Sequence, residues 1–346
     1  MKKIICLLTF FWITLSFSGL YAQERGIPKK GEIISTFLER NNRPGRKYYK
    51  AFVELNKKRL GPKVILKHGL TYRLPPLEGK RDVKTAKEDE TEADVSERRT
   101  TRSRFHEPLF GSSLADVKVS SKRLSHACFY IVSGHGGPDP GAIGKLGEVE
   151  LHEDEYAYDI AIRLARLLMQ EGAEVYLIIQ DAKDGIRDER LLTNSKRETC
   201  MGDPIPLNQV QRLQQRCDKI NALYRKDRKR YTYCRALFIH VDSRSKKQQT
   251  DVFFYHSEHK SESKNLATTL KNTFESKYDK HQPNRGFTGT VSGRNLFVLT
   301  HTTPVSAFVE LGNIQNAFDQ QRFVMSSNRQ ALAKWLCEGF LKDAKK

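Results

Sequence analysis

The chain has 346 residues, 60 Lys plus Arg against 41 Asp plus Glu, and a formal net charge of +19, a length that suits two domains better than one. With 38% hydrophobic, 29% charged and 10% aromatic residues, it is too apolar for a wholly disordered chain and lacks the glycine period of a fibrous one. Beyond residue 22 no run approaches the roughly 18 apolar residues that would span a bilayer.

Residues 1–22 read as a secretory signal peptide: Lys2 and Lys3 precede an apolar run over 4–20, and Tyr21, Ala22 and Gln23 follow it. An uncleaved anchor is the alternative, against which Ser16, Ser18 and Gly19 weigh. The expected location is therefore outside the cytoplasm, in the periplasm or cell envelope or beyond it, with no stable membrane span after cleavage. Losing Lys2 and Lys3 takes the charge from +19 to +17, which suits an anionic partner such as wall polymer or an anionic membrane surface. A solvated basic surface without a specific partner is the other reading. The basic residues are spread along the chain with no nucleic-acid module, so nucleic acid is not an expected partner.

Residues 23–76 carry apolar clusters at 33–38, 48–55 and 64–74, punctuated by glycines and prolines, and read as a small α+β domain. Residues 77–123 include the stretch 80–104, dense in charged residues, Ser and Thr, and read as a flexible charged linker. From residue 124 to 346 short apolar runs alternate with amphipathic stretches, the pattern of a mostly parallel twisted sheet with helices on both faces. Strands are expected at 128–132, 175–179, 236–241, 252–255, 296–299 and 305–311. Helices are expected over 156–168, 210–224, 261–277 and 328–341, with Gly172 ending the first. The excursion over 181–206 has the length of a lid or partner site.

Five cysteines follow the leader, Cys128, Cys200, Cys217, Cys234 and Cys337. None forms a Cys-x-x-Cys pair, so a thiolate zinc site is not expected. A disulfide among Cys200, Cys217 and Cys234 and buried free thiols are both open.

Loops leaving the C-terminal ends of parallel strands open on one edge, where residues from distant segments converge. His135 follows the first strand in Gly134-His135-Gly136-Gly137, Glu153 lies where the next helix begins, His240 ends the third strand, and Glu310 ends the last. Two imidazoles and a carboxylate form a ligand set of catalytic zinc, and Glu310 fits a general acid/base beside it. Each also has a duller reading. His135 could be a turn residue, His240 a core histidine, and Glu310 the partner of a cation, while Glu150 and Glu155 compete with Glu153.

These residues resemble the zinc-dependent N-acetylmuramoyl-L-alanine amidases of bacterial cell-wall turnover. The likeness runs over 128–340 and is strongest in Gly134-His135-Gly136-Gly137-Pro138-Asp139-Pro140-Gly141-Ala142. Glu153, Phe238-Ile239-His240, Arg216 and Asn221, and the segment 304–312 around Glu310 follow in order. The resemblance implies that His135, Glu153 and His240 bind one Zn2+, that Glu310 is the catalytic acid/base, and that peptidoglycan is the substrate. The bond cleaved would be the amide between N-acetylmuramic acid and L-alanine. It admits a protein activator and leaves the oligomeric state open. Val132, Ile178 and Ile179 stand where the family commonly has Asp and a Thr-Arg pair; Val241, Asp242 and Asn313 depart likewise, so outer contacts differ. Asp139 and Gly141 read as loop-shaping, and His152 and His301 as surface or cleft residues.

Residues 23–76 resemble a divergent LysM module, a small wall-binding fold of two strands flanking two helices, carried by Gly31-Glu32, Leu55-Asn56 and a last strand over 66–75. A zinc carboxypeptidase or endopeptidase acting on another wall-peptide amide is the enzymatic rival. A non-catalytic wall-binding protein is the other.

Overall fold

The computed structural model describes residues 24–29, 32–43, 46–61, 66–76 and 103–345. The signal peptide expected over 1–22 and the linker up to residue 102 lie outside the described residues. The chain divides into two compact units, Met1–Lys87 and Glu88–Lys346.

In the first unit β1 (Arg25–Gly26) pairs antiparallel with β2 (Tyr72–Arg73), and α1 (Ile34–Arg40), α2 (Arg46–Leu55) and α3 (Lys57–Leu60) lie between them in sequence. Phe37, Phe52 and Tyr72 are fully buried, with ring centroids 5.6, 6.4 and 5.8 Å apart. Tilted aromatic contacts of this kind add to the burial of their area. Asn56 closes α2 and ties it to β2, its Nδ2 donating to the Arg73 carbonyl (2.8 Å) and its Oδ1 accepting from the Arg73 amide (2.9 Å). The strand expected over 66–75 narrows to Tyr72–Arg73, because Gly69 takes a left-handed φ of +81° within the run.

The second unit starts earlier than the composition suggests. β3 (Arg104–His106) and β4 (Asp116–Lys118) form an antiparallel pair, and Phe110, Val117 and Leu124 are buried in the main core. The linker expected over 77–123 is thus corrected at its C-terminal end: the segment 103–123 is folded, held by a few apolar anchors among polar neighbours.

β9 (Ile179–Gln180), β10 (Thr199–Cys200) and β11 (Asp203–Pro204) form a small antiparallel sheet of their own, and among the described residues the main sheet has six strands. β5 (Ala127–Ser133), β8 (Glu174–Leu177), β12 (Tyr233–Asp242), β13 (Phe253–His256), β14 (Thr290–Gly293) and β15 (Val305–Asn313) run in the spatial order β14-β13-β15-β12-β5-β8. All neighbours are parallel except β13 and β15, which are antiparallel. Alternation along the buried strands sends Phe129, Ile131, Leu237, Ile239 and Val309 to one core and Cys128, Tyr130, Val132, Phe238 and Phe308 to the other. The first core is closed by α4 (Glu153–Gln170), α6 (Ser261–His281) and α9 (Ser326–Asp343). The second is closed by α5 (Gln209–Asp227) and α7 (Phe297–His301). Gly172, at φ +89°, terminates α4 as expected.

One expected strand is a helix. Residues 296–299 supply the N-cap and first turn of α7, because four apolar residues carry too little period to separate a buried strand from a buried turn. The sixth strand is β14, whose Thr, Ser and Gly content hides it. α8 (Ala317–Val324) is also unannounced, capped by the Asn316 side chain on the Phe318 and Asp319 amides. Among the described residues no helix is long and apolar enough to cross a membrane, and all five described cysteines are buried and free.

Candidate metal centre

The end of β5 and the loop after it are shaped around two histidines. A Cβ on Gly134 would stand 2.4 Å from the His240 ring, so only glycine fits between the strands there. His135 itself adopts φ +57°, a left-handed conformation uncommon for a side-chain-bearing residue and typical of functional loops. A hairpin of β6 (Ile143–Leu146) and β7 (Val149–His152) brings the chain back, so that Glu153 opens α4 beside Ala142. The Glu153 amide donates to the Ala142 carbonyl (2.9 Å) and the Ala142 amide to Glu153 Oε2 (2.8 Å).

His240 and Glu310 occupy paired positions of β12 and β15. Strand alternation places both side chains on the face that carries Phe238 and Phe308. Glu153 sits between the imidazoles: His135 Nε2 is 3.2 Å from its Oε2, and His240 Nδ1 is 2.9 Å from its Oε1. The Val241 amide donates to the same Oε1 at 3.0 Å. The two rings meet edge to face with centroids 4.9 Å apart. One donor atom from each of His135, Glu153 and His240 lies within 4.8 Å of the others.

The outer contacts explain how these groups are held. Asp139, read from sequence as loop-shaping, does more. Its Oδ1 accepts from the Gly141 amide (3.2 Å), while its Oδ2 faces His135 Nδ1 (3.0 Å) and takes a bond from Arg212 (2.7 Å). A carboxylate on the far nitrogen of a metal-binding imidazole fixes its tautomer and orientation. The signal for it was an acid four residues past His135. Arg216 on α5 donates to the His135 carbonyl. Gly141 has φ +69°, and a Cβ there would be 2.6 Å from Glu153 Oε2 and 2.7 Å from the His135 ring.

Charges in the cluster are strongly coupled. Burial works against the His135 imidazolium, but Asp139 and Glu153 outweigh it and raise its pKa to about 10. Burial lowers that of His240 despite Glu153. Burial would raise Glu153, yet its bonds to His135 and His240 hold it well below the usual carboxylate range. Glu310 is pushed well above that range by burial and by the charges of Glu153 and Asp242. Its Oε2 is buried without a hydrogen-bond partner.

Of the competing acids, Glu150 contacts His152 (3.3 Å) and Glu155 pairs with Arg187 (2.9 Å). His301 stacks on Phe297 with ring centroids 3.9 Å apart. None joins the cluster. Asn221, on α5, braces the turn before β15 through the His301 carbonyl and the Thr303 amide. Beside the histidines lies a cavity of about 160 Å³ with an apolar wall of Val132, Phe238, Leu296, Phe297 and Phe308 and a polar rim that includes Arg212 and Gln209. Phe308 stacks on the His240 ring at 4.3 Å between centroids. The donors fit a zinc ion: two imidazole nitrogens and one carboxylate oxygen converge, an outer carboxylate orients His135, and among the described residues no fourth side chain joins them, as in catalytic sites.

A nitrogen and oxygen donor set beside an unpartnered buried acid, at the C-terminal edge of a parallel sheet, is that of a hydrolase. Residues 130–342 match the N-acetylmuramoyl-L-alanine amidase family profile, and the chain belongs to that family. It is similar to the solved amidase AmiC2 of Nostoc punctiforme, with 21% identity and a TM-score of 0.45 over 65% of this chain and 99% of that one. An N-acetylmuramoyl-L-alanine amidase from Clostridium difficile 630 has 20% identity and a TM-score of 0.45 over 62% and 95% of the two chains. The CwlD amidase of Clostridioides difficile, solved in complex with the GerS lipoprotein, has 19% identity and a TM-score of 0.45 over 63% and 98%. No curated protein matches the chain.

Proposed function

We propose that the protein is an exported peptidoglycan amidase in which His135, Glu153 and His240 hold one zinc ion and Glu310 transfers protons. The observation that carries the reading is the convergence of His135 Nε2, His240 Nδ1 and the Glu153 carboxylate, with Glu310 on the rung beside His240. Zinc bound there would polarise the scissile carbonyl and lower the pKa of a water molecule towards about 7.

The remaining chemistry belongs to the chain. Glu310 accepts the proton of the attacking water and hands it to the nitrogen of the leaving L-alanine. Burial and the nearby charges of Glu153 and Asp242 raise its affinity for that proton, which favours its part as the acid in the second step. Asp139 keeps the His135 ring turned to the cluster. The apolar wall around Phe297 and Phe308 keeps bulk water from the reacting amide, and Arg212 at the rim can meet an anionic group of the wall polymer.

The first unit serves, on this proposal, as a LysM-like wall-binding module. The charged segment after it gives the catalytic unit reach, and the signal peptide delivers both to the envelope. A protein activator acting through the excursion over 181–206 is compatible with this arrangement.

Digestion of purified peptidoglycan tests the proposal. Release of intact stem peptides, lost in strong chelator and in His240→Ala, is the expected result. A lone terminal residue in the mass spectrum would assign the chain to carboxypeptidase chemistry, and undiminished release in chelator would remove the metal from the mechanism.

A further inference from the structure

A second cluster, made of acids alone, begins one residue after Glu153. Asp154 and Glu155, in the first turn of α4, and Glu198, in the excursion over 181–206, each offer an oxygen within 4.8 Å of the other two. Their exposures are 3%, 1% and 7%. Glu155 is compensated by Arg187 at 2.9 Å. Glu198 has only neutral donors, the Gly137 amide (2.8 Å) and Ser195 Oγ (2.6 Å). Asp154 Oδ1 accepts from the Glu155 amide (3.0 Å), and its Oδ2 is buried with no hydrogen-bond partner. Arg187 is ion-paired with Glu155, Arg197 acts on Glu198 only at longer range, and among the described residues neither Asp154 nor Glu198 is ion-paired.

A buried carboxylate is unfavourable unless a cation or hydrogen bonds offset its lost hydration. Here the offset is missing at one oxygen of a side chain that adjoins two further acids. We propose that Asp154, Glu155 and Glu198 bind a hard divalent cation, calcium by donor chemistry, at a site separate from the histidine centre. The donors are all oxygen, with no imidazole or thiolate, which suits calcium or magnesium over zinc. Calcium also tolerates the irregular geometry of donors drawn from a helix start and a loop.

The position gives this cation a role. Glu198 holds the Gly137 amide, two residues from His135, and Asp154 is the chain neighbour of Glu153. The cation ties the excursion to the loop that carries His135, so it orders that loop. The inference does not depend on zinc occupying the histidine centre.

Equilibrium dialysis of the full-length, zinc-supplied protein against calcium chloride, with both metals measured by mass spectrometry, decides the matter. One calcium per chain is expected, together with slower amide exchange over 181–206 when calcium is present. Glu198→Gln and Asp154→Asn should each weaken calcium binding by about tenfold or more, while Glu310→Gln leaves it unchanged. Calcium at buffer level in the parent protein, or undiminished in both variants, overturns the proposal. Because the parent protein supplies the first reading, a variant that fails to fold does not obscure it. The zinc content of the same samples reports separately on the histidine centre.

Discussion

Asp139→Asn removes a negative charge from beside His135 while keeping the volume and one oxygen of the side chain. The retained oxygen can still accept from the Gly141 amide, so the loop keeps its local bond. What is lost is the charged acceptor 3.0 Å from His135 Nδ1 and the partner of Arg212 at 2.7 Å. Outer carboxylates on metal-bound imidazoles are worth about 10–100-fold in metal affinity, or about 1.4–2.7 kcal/mol. Arg212, left without its carboxylate close to the cluster, repels a divalent ion, which pushes the expected loss to the upper part of that range, about 30–100-fold. Competition for zinc against a fluorescent chelator, followed up to about pH 10 so that the His135 proton, which Asp139 itself helps to hold, no longer masks the loss, measures it. Arg212→Met, which leaves Asp139 free to act on His135 alone, should hold or tighten zinc, an opposite sign that loosened packing would not produce. A dissociation constant for Asp139→Asn within about twofold of the parent would refute the orienting role, given the size of effect such contacts have.

Glu310→Gln should lower kcat by about 10²–10⁴-fold, the range of general acid–base catalysis, with zinc content by mass spectrometry unchanged. Gly141→Ala brings a Cβ to 2.6 Å from Glu153 Oε2 at a left-handed φ, so it should lower both Tm and zinc occupancy, read by calorimetry and metal analysis. In the metal-free protein His135 is held at about 10 by Asp139 and Glu153 against its burial, so it carries a proton at neutral pH that zinc must displace. Zinc uptake should release about one proton, and affinity should rise about tenfold per pH unit up to that value, as titration calorimetry in buffers of different ionisation enthalpy would show. Arg329, fully buried against Asp159 at 2.6 Å, should destabilise the fold by about 1–3 kcal/mol when changed to Met: Asp159 keeps Arg163 at 2.7 Å, but the Phe323, Arg187 and Glu189 carbonyls lose their donor; urea unfolding would register it.

The convergence of the candidate site residues was more legible than the architecture around them. His135, Glu153, His240 and Glu310 could be found because continuous apolar runs mark parallel strands, and the ends of such strands share one edge. Asp139 escaped because an acid in a Gly-Pro loop also serves as an ordinary turn residue, and only its distance to the ring separates the two. The apolar run at 296–299 was misread for want of length, and β14 was missed because Thr, Ser and Gly on an edge strand carry no hydrophobic signal. The folded segment 103–123 hides for the same reason, with Phe110 and Val117 too sparse to stand out among polar neighbours. The acids Asp154 and Glu198, 44 positions apart in the chain, could be brought together only by the three-dimensional path of the excursion.

His240 and Glu310 sit side by side on one rung of β12 and β15, and neighbouring strands of a sheet lie about 4.8 Å apart whatever residues they bear. That interval acts as a built-in ruler, set by main-chain pairing alone. Surface loops can lengthen, shrink or exchange sequence to suit a different polymer without disturbing it, so recognition and bond-breaking are free to evolve on separate schedules.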